Sequence, residues 1–287
     1  MNNKPIVAIM YDFDKTLSPK NMQEYAFVPG IGMDSAAFWR KCDELANSNN
    51  MDPILAYMFL MKQESEGKML ITRDVFKKLG RSVQLFKGVR TWFDRVNAYA
   101  EKLGLTVEHY ILSSGLKEII EGTSIARYFT RIYAAEFLYN ERQVPIWPAM
   151  ALNYTSKTQF LFRINKGVLD VTEHDELNEY TPESKRRIPF QNMIYVGEGL
   201  TDVPCMKLCK VNGGHSIAVY QNDRNVAENL LRQGRVDFIA PADYSRHSKM
   251  EKTVFALLDL IKAYNAQLKM HLDDMDAAHQ TDTKANP

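Results

Sequence analysis

The stretch Ile6-Val7-Ala8-Ile9-Met10-Tyr11-Asp12-Phe13-Asp14-Lys15-Thr16-Leu17 decides how this chain is read. An unbroken apolar and β-branched run, Ile6 to Tyr11, closed by a carboxylate, has the pattern of a strand covered on both faces. Two carboxylates two residues apart then stand where the chain leaves the sheet. One is placed to act as a nucleophile or metal ligand, the other to transfer protons.

Working outward, further strands are expected at Glu108–Leu112, Arg131–Ala134, Met193–Val196, Ser216–Val219 and Val236–Ile239. Helical patterns lie between them. One runs from Val89 to Leu103 and stops at Gly104, and another covers Thr155–Asn165 and stops at Gly167, each glycine being a natural C-terminal cap. Strands alternating with helices imply βαβ units and an α/β fold with a doubly wound, Rossmann-like parallel sheet. Residues 19–86 break the alternation. They hold helices and no convincing strand; Asp52-Pro53 reads as an N-cap with Pro at the first helical position, and Thr72 as the cap of the next helix. The expected organisation is a core of residues 1–18 and 87–272, an all-helical insert of 19–86, and a frayed tail of 273–287. An insert at that point emerges at the carboxyl end of the sheet, where ligands bind in such folds, and its plainest role is a lid. Met250, Val254, Leu257, Leu258, Ile261, Tyr264 and Leu268 give the last helix one apolar face for the core. Asp170–Arg187 reads as a surface excursion.

Composition narrows the function. The 287 residues carry 36 Lys and Arg against 35 Asp and Glu, a net charge of +1, so no whole-molecule field favours nucleic acid or an anionic membrane. The three cysteines, Cys42, Cys205 and Cys209, build no disulfide framework and no CxxC zinc site. No apolar run approaches a membrane span or a signal peptide, so a cytoplasmic protein is expected, a monomer or homodimer without nucleic-acid or membrane partners. Neither GxGxxG nor GxxxxGK[ST] occurs, which counts against dinucleotide-dependent redox chemistry and P-loop nucleotide hydrolysis.

Two more strand ends carry polar groups. Ile111-Leu112 runs into Ser113-Ser114-Gly115, where hydroxyls and free backbone N–H groups make an anion cradle. Met193–Val196 runs into Gly197-Glu198-Gly199-Leu200-Thr201-Asp202, whose carboxylates suit a hard cation such as Mg²⁺. Between them, Lys157 opens a helix where a cation opposes the helix dipole, so a fixed negative ligand would rationalise it.

In the order Asp/Asp, Ser, Lys, Glu/Asp, the chain resembles the haloacid dehalogenase superfamily of phosphohydrolases. Its four motifs stand here as Asp12–Thr16, Ser113, Lys157 and Gly197–Asp202. The position of the helical insert matches the family's C1 cap and is similar to the phosphoserine-phosphatase-like branch. The resemblance implies a Mg²⁺-dependent phosphatase acting on a small phosphorylated metabolite. Asp12 would attack phosphorus and form an aspartyl-phosphate, and Asp14 would protonate the leaving alcohol and then activate water. Thr16, Ser113, Ser114, Gly115 and Lys157 would serve the phosphate, and Asp12, the Asp14 carbonyl, Glu198 and Asp202 (directly or through water) the metal.

Two positions depart from the pattern. Glu198 stands where the family usually has Asp, and Asn21 where phosphoserine phosphatases have the Glu that reads the substrate amino group, with Gln23 and Glu24 close by. A phosphotransferase or phosphomutase would use the same core, and a non-catalytic phosphate-binding scaffold would keep the fold; intact Asp12, Asp14 and Lys157 weigh against the scaffold. In the insert, Lys20, Trp39, Arg40 and Lys41 are read as solvated or packing residues rather than ligand contacts. The six histidines show no metal-ligand spacing.

Overall fold

The structure, a computed structural model, describes residues 4–284. Ile6–Tyr11 is β1, and Val7 to Tyr11 are completely buried. The reason is its place in a seven-stranded sheet of order β4-β3-β2-β1-β5-β6-β7. The other strands are β2 (Thr106–Leu116), β3 (Phe129–Tyr139), β4 (Pro145–Met150), β5 (Met193–Gly197), β6 (His215–Tyr220) and β7 (Phe238–Pro241). β1 pairs in parallel with β2 and β5, so helices cover both faces and apolar side chains go both ways. Val7, Ile9 and Tyr11 join one core, Ala8 and Met10 the other. The register sets Tyr11 beside both Ile111 and Val196. Asp12, Ser113 and Gly197 therefore reach the same edge of the sheet.

The α/β reading of the sequence holds, with four differences. β4 was not expected; it pairs antiparallel with β3 and makes the sheet mixed. Its Pro145 and Pro148 argue against an interior strand but are tolerated at an edge, where no further strand needs their missing N–H. β2 runs on through Ser113 to Leu116, which pairs with Ala135. The last strand begins at Phe238 rather than Val236. Finally, the C-terminal helix Lys249–Lys284 continues through the segment expected to fray. That segment contains Ala, Met, Gln and Lys, and no Gly or Pro before Pro287, so no helix breaker interrupts it. Among the described residues no helix is long and apolar enough to cross a membrane.

Between β1 and β2 the chain forms helices Phe27–Gly30, Ser35–Ser48, Pro53–Ser65, Arg73–Gly80 and Val89–Lys102. Asp52 accepts from the N–H groups of Ile54 (2.8 Å) and Leu55 (3.2 Å), and Thr72 Oγ1 from Val75 (3.2 Å), which stops the orphan donors of each first turn from being buried unpaired. The first four helices lie against the strand ends. Phe76 stacks on Phe137 of β3 with ring centroids 6.0 Å apart, and the Tyr57 hydroxyl donates to the Ser114 carbonyl at 2.8 Å. Asp52 has a second partner across this seam, the side-chain amide of Asn153.

Asp52 thus caps a helix and ties it to the core. Asp52→Ala is expected to cost about 0.5–2 kcal/mol, the range for losing an N-cap, seen as a lower urea midpoint at unchanged m-value. A midpoint equal to the wild type's would show that neither bond contributes.

Candidate active site

Beyond β1 the chain turns tightly: the amides of Thr16, Leu17 and Ser18 all point to the Phe13 carbonyl, at 3.3, 2.8 and 3.2 Å. This turn holds Asp12 and Asp14 over the sheet edge while Phe13 is buried between them. Asp12 N–H donates to the Val196 carbonyl at 2.9 Å, tying the turn to β5. Asp14 Oδ1 accepts from Met22 N–H at 2.8 Å. Its Oδ2 faces the turn after β2; a Cβ on Gly115 would come within 3.0 Å of it and 2.1 Å of Met22 Cε. Glycine is what lets these two segments close on each other.

Behind Asp12 lies a buried ion cluster. Lys157 Nζ sits 2.8 Å from Asp202 Oδ1 and 3.3 Å from Asp12 Oδ1, and Lys157 and Asp202 are both completely inaccessible to solvent. Buried charge is tolerated only when paired and fully hydrogen-bonded. Asp202 meets that condition: Oδ1 also accepts from the Tyr195 hydroxyl at 2.9 Å, and Oδ2 from the amides of Glu198 (3.1 Å) and Gly199 (3.4 Å). Its carboxylate lies so close under β5 that a Cβ on Gly197 would be 2.5 Å from Oδ2. Burial alone would lower the Lys157 ammonium, but Asp12 and Asp202 hold it above its ordinary value.

Asp12, Asp14, Ser113, Ser114, Gly115 and Glu198 line one cavity of about 270 Å³. Lys157, Thr16 and Asp202 do not. Asp202, expected as a metal ligand directly or through water, accepts hydrogen bonds from the protein on both oxygens and so fixes Lys157 and the Glu198 loop. Thr16, expected beside the phosphate, is completely buried behind the turn, and its carbonyl accepts from the Tyr244 hydroxyl at 2.8 Å. Lys157 ends a 3₁₀ turn, Tyr154–Lys157, and is the N-cap of the helix Thr158–Lys166, so it opens a helix as expected. Ser113 Oγ accepts from Gly115 N–H at 3.0 Å, keeping its proton for a ligand, and the buried Ser114 Oγ has no partner.

Gln23, noted in the sequence for its place beside Asn21, lines the cavity, as do Lys15, Tyr57, Asn153, Tyr154 and Thr201, which were given no role. Trp39 lines it too, whereas Arg40 and Lys41 pair with Glu44 and Glu64. Lys15 and Thr201 have a signal in the sequence, a place inside a quoted stretch, and Gln23 has its nearness to Asn21. The others come together only through tertiary packing.

The carboxylates bear the cost of this crowding. Burial pushes Asp12 up to about 7, with Lys157 opposing and Asp202 and Glu198 adding to the rise. Asp14 is held well above the usual carboxylate range, first by burial and then by Asp12. Glu198 is raised by burial and by Asp202. Hydroxyls, backbone amides and protonatable carboxyls around one cavity, backed by a fixed ammonium, make an arrangement suited to a tetrahedral oxyanion.

The family model of haloacid dehalogenase-like hydrolases matches residues 9–207, well over half of the chain. The chain belongs to the haloacid dehalogenase-like hydrolases. This hydrolase is 30% identical over 275 residues to an uncharacterized protein of Borreliella burgdorferi, covering 85% of this chain and 94% of that one. Its fold is similar to that of a HAD family hydrolase, t0658, from Salmonella enterica serovar Typhi (TM-score 0.56, 15% identity, covering 89% of this chain and 72% of that one). A probable phosphoserine phosphatase from Vibrio cholerae shares the fold as well (TM-score 0.57, 10% identity, 91% and 67% covered).

The raised Asp12 makes the hydrolase's stability depend on pH. The unfolded chain ionises near the ordinary 3.8, whereas the folded carboxyl keeps its proton to about 7. Between those values the folded state binds more protons, so this group's contribution falls as pH rises. In chelator, the melting temperature of Asp12→Asn relative to wild type should therefore climb from pH 5 to pH 8. A constant difference would contradict the raised carboxyl.

Proposed function

We propose that this hydrolase is a Mg²⁺-dependent phosphatase of small phosphomonoesters that works through an aspartyl-phosphate on Asp12. The observation that carries the reading is the convergence of Asp12, Asp14 and the Ser113–Gly115 turn on one cavity, with Lys157 fixed behind Asp12.

The donors fit a hard cation. Among the described residues no three His, Cys, Asp or Glu side chains form a metal cage. Mg²⁺ seldom uses one, taking one or two carboxylates and leaving its other positions to water and phosphate. Asp12 and Glu198 supply two such carboxylates, both raised by burial and crowding, and with the Asp14 carbonyl they would hold the ion. Its chemistry there is to neutralise charge on the phosphoryl oxygens. Glu198 in place of Asp keeps ligand type and charge.

The chain's own groups supply the rest. The Asp12 carboxylate, held at Oδ1 by Lys157, attacks phosphorus, forming the Asp12–phosphorus bond as the ester P–O bond breaks. Asp14, whose burial and nearness to Asp12 favour its protonated form, gives that proton to the departing alkoxide. The resulting Asp14 carboxylate then takes a proton from water as the water oxygen attacks phosphorus, releasing phosphate and restoring Asp12. Ser113, the turn amides and Lys157 stabilise the charge that develops, which is most of what phosphoryl transfer asks of a protein.

Phosphate release from p-nitrophenyl phosphate tests this. Release is expected with Mg²⁺ and not with chelator, lost in folded Asp12→Asn, and lowered about 10²–10⁴-fold in Asp14→Asn, the usual contribution of a general acid–base. Retained turnover in folded Asp12→Asn would overturn the assignment.

A further inference from the structure

Away from the phosphate end, the cavity is walled by the insert through Asn21, Gln23, Trp39, Pro53, Ile54 and Tyr57. None of these six carries a formal charge. Glu24, the nearby carboxylate, does not line the cavity; it accepts from Asn21 Nδ2 at 2.7 Å and Trp39 Nε1 at 2.9 Å. Lys15 is the cation on the wall, and its charge acts on Asp14 and Glu198, at the reacting end.

Gln23 is the informative residue. It is 1% exposed, lines the cavity, and its Oε1 has no hydrogen-bond partner among the described residues. A buried acceptor without a donor costs about 1–3 kcal/mol, and in native proteins such groups call for an explanation. The aromatic residues offer something different. Tyr57 has committed its hydroxyl to the Ser114 carbonyl and Trp39 its N–H to Glu24, so both present carbon surface to a ligand, as do Pro53 and Ile54.

Resting on the phosphatase reading, we propose that the ester's alcohol is a neutral polyhydroxylated group, making the substrate a monosaccharide or polyol phosphate. A hydroxyl donates to Gln23 Oε1 and also serves the unpartnered Ser114 Oγ. The C–H faces of a sugar or polyol lie against Trp39, Tyr57 and Ile54. A zwitterionic alcohol such as serine would leave its ammonium and carboxylate desolvated against an uncharged wall. A quaternary ammonium has no proton to give Gln23. The volume of about 270 Å³ sits near the lower end of ligand pockets and favours one small ring or chain.

The test compares kcat/KM for glucose 6-phosphate and sorbitol 6-phosphate with that for phosphoserine and phosphocholine, using p-nitrophenyl phosphate as reference. The polyhydroxylated esters should lead the charged ones by about 10²-fold or more, because a site built for hydroxyls rejects partners that lack them. Gln23→Leu should lower the polyol-to-aryl ratio of kcat/KM by about 5- to 100-fold, the range for one buried hydrogen bond. Phosphoserine or phosphocholine matching the polyol esters, or an unchanged ratio in Gln23→Leu, overturns the proposal. If not even the aryl ester is hydrolysed, the phosphatase reading fails, and calorimetry on Asp12→Asn with the same four ligands decides this one. Polyol esters binding at least tenfold tighter support it; equal or weaker binding overturns it.

Discussion

The site depends on a buried ammonium held between two carboxylates. Lys157 has no water to solvate it, so Asp202 at 2.8 Å and Asp12 at 3.3 Å are what make its charge tolerable. Asp202 in turn is fixed by Tyr195 and by the amides of Glu198 and Gly199. One carboxylate therefore sets the ammonium, the loop that carries Glu198 and, through Lys157, the orientation of Asp12. Each of these groups comes from a different strand end or turn, and the parallel register around Tyr11 brings them to one edge. The arrangement is preorganised: no group has to move for charge to be met at the cavity, and fixed dipoles act most strongly where water is excluded.

The helices after β1 divide the labour. The core side of the cavity is charged and hydrogen-bonding; the insert side is apolar with amides. The contacts that close the seam at the cavity include Tyr57 to Ser114, Asp52 to Asn153 and Met22 to Asp14. The Met22 contact links the halves directly, because the amide that starts the insert also holds the Asp14 carboxylate. The charged end of the cavity and its uncharged wall are thereby joined through a single turn.

Much of this was legible in the sequence. β1 stands where the run Ile6–Tyr11 put it, because a strand buried on both faces has no competing helical reading. Asp52-Pro53 marked its helix start correctly, since capping is decided by neighbours in the chain. β4 was hidden by Pro145 and Pro148, whose acceptability depends on being at an edge, a property of the whole sheet. The partners of Asp202, which are Lys157, Tyr195 and the amides of Glu198 and Gly199, are not legible from residue type and spacing. Tyr57 and Asn153 carry no local signal; Tyr57 meets Ser114 across 57 positions. The C-terminal helix was underestimated because polarity was given more weight than the lack of a helix breaker.

The central claim is that Asp12 becomes covalently phosphorylated. The direct measurement is intact-protein and peptide mass spectrometry of Asp14→Asn, acid-quenched within its first turnover with the best phosphomonoester and Mg²⁺. The account predicts a gain of one phosphoryl group on the peptide containing Asp12, absent when Asp12 is also replaced by Asn. An adduct on another residue, or phosphate release from Asp14→Asn with no adduct at any quench time, would contradict it.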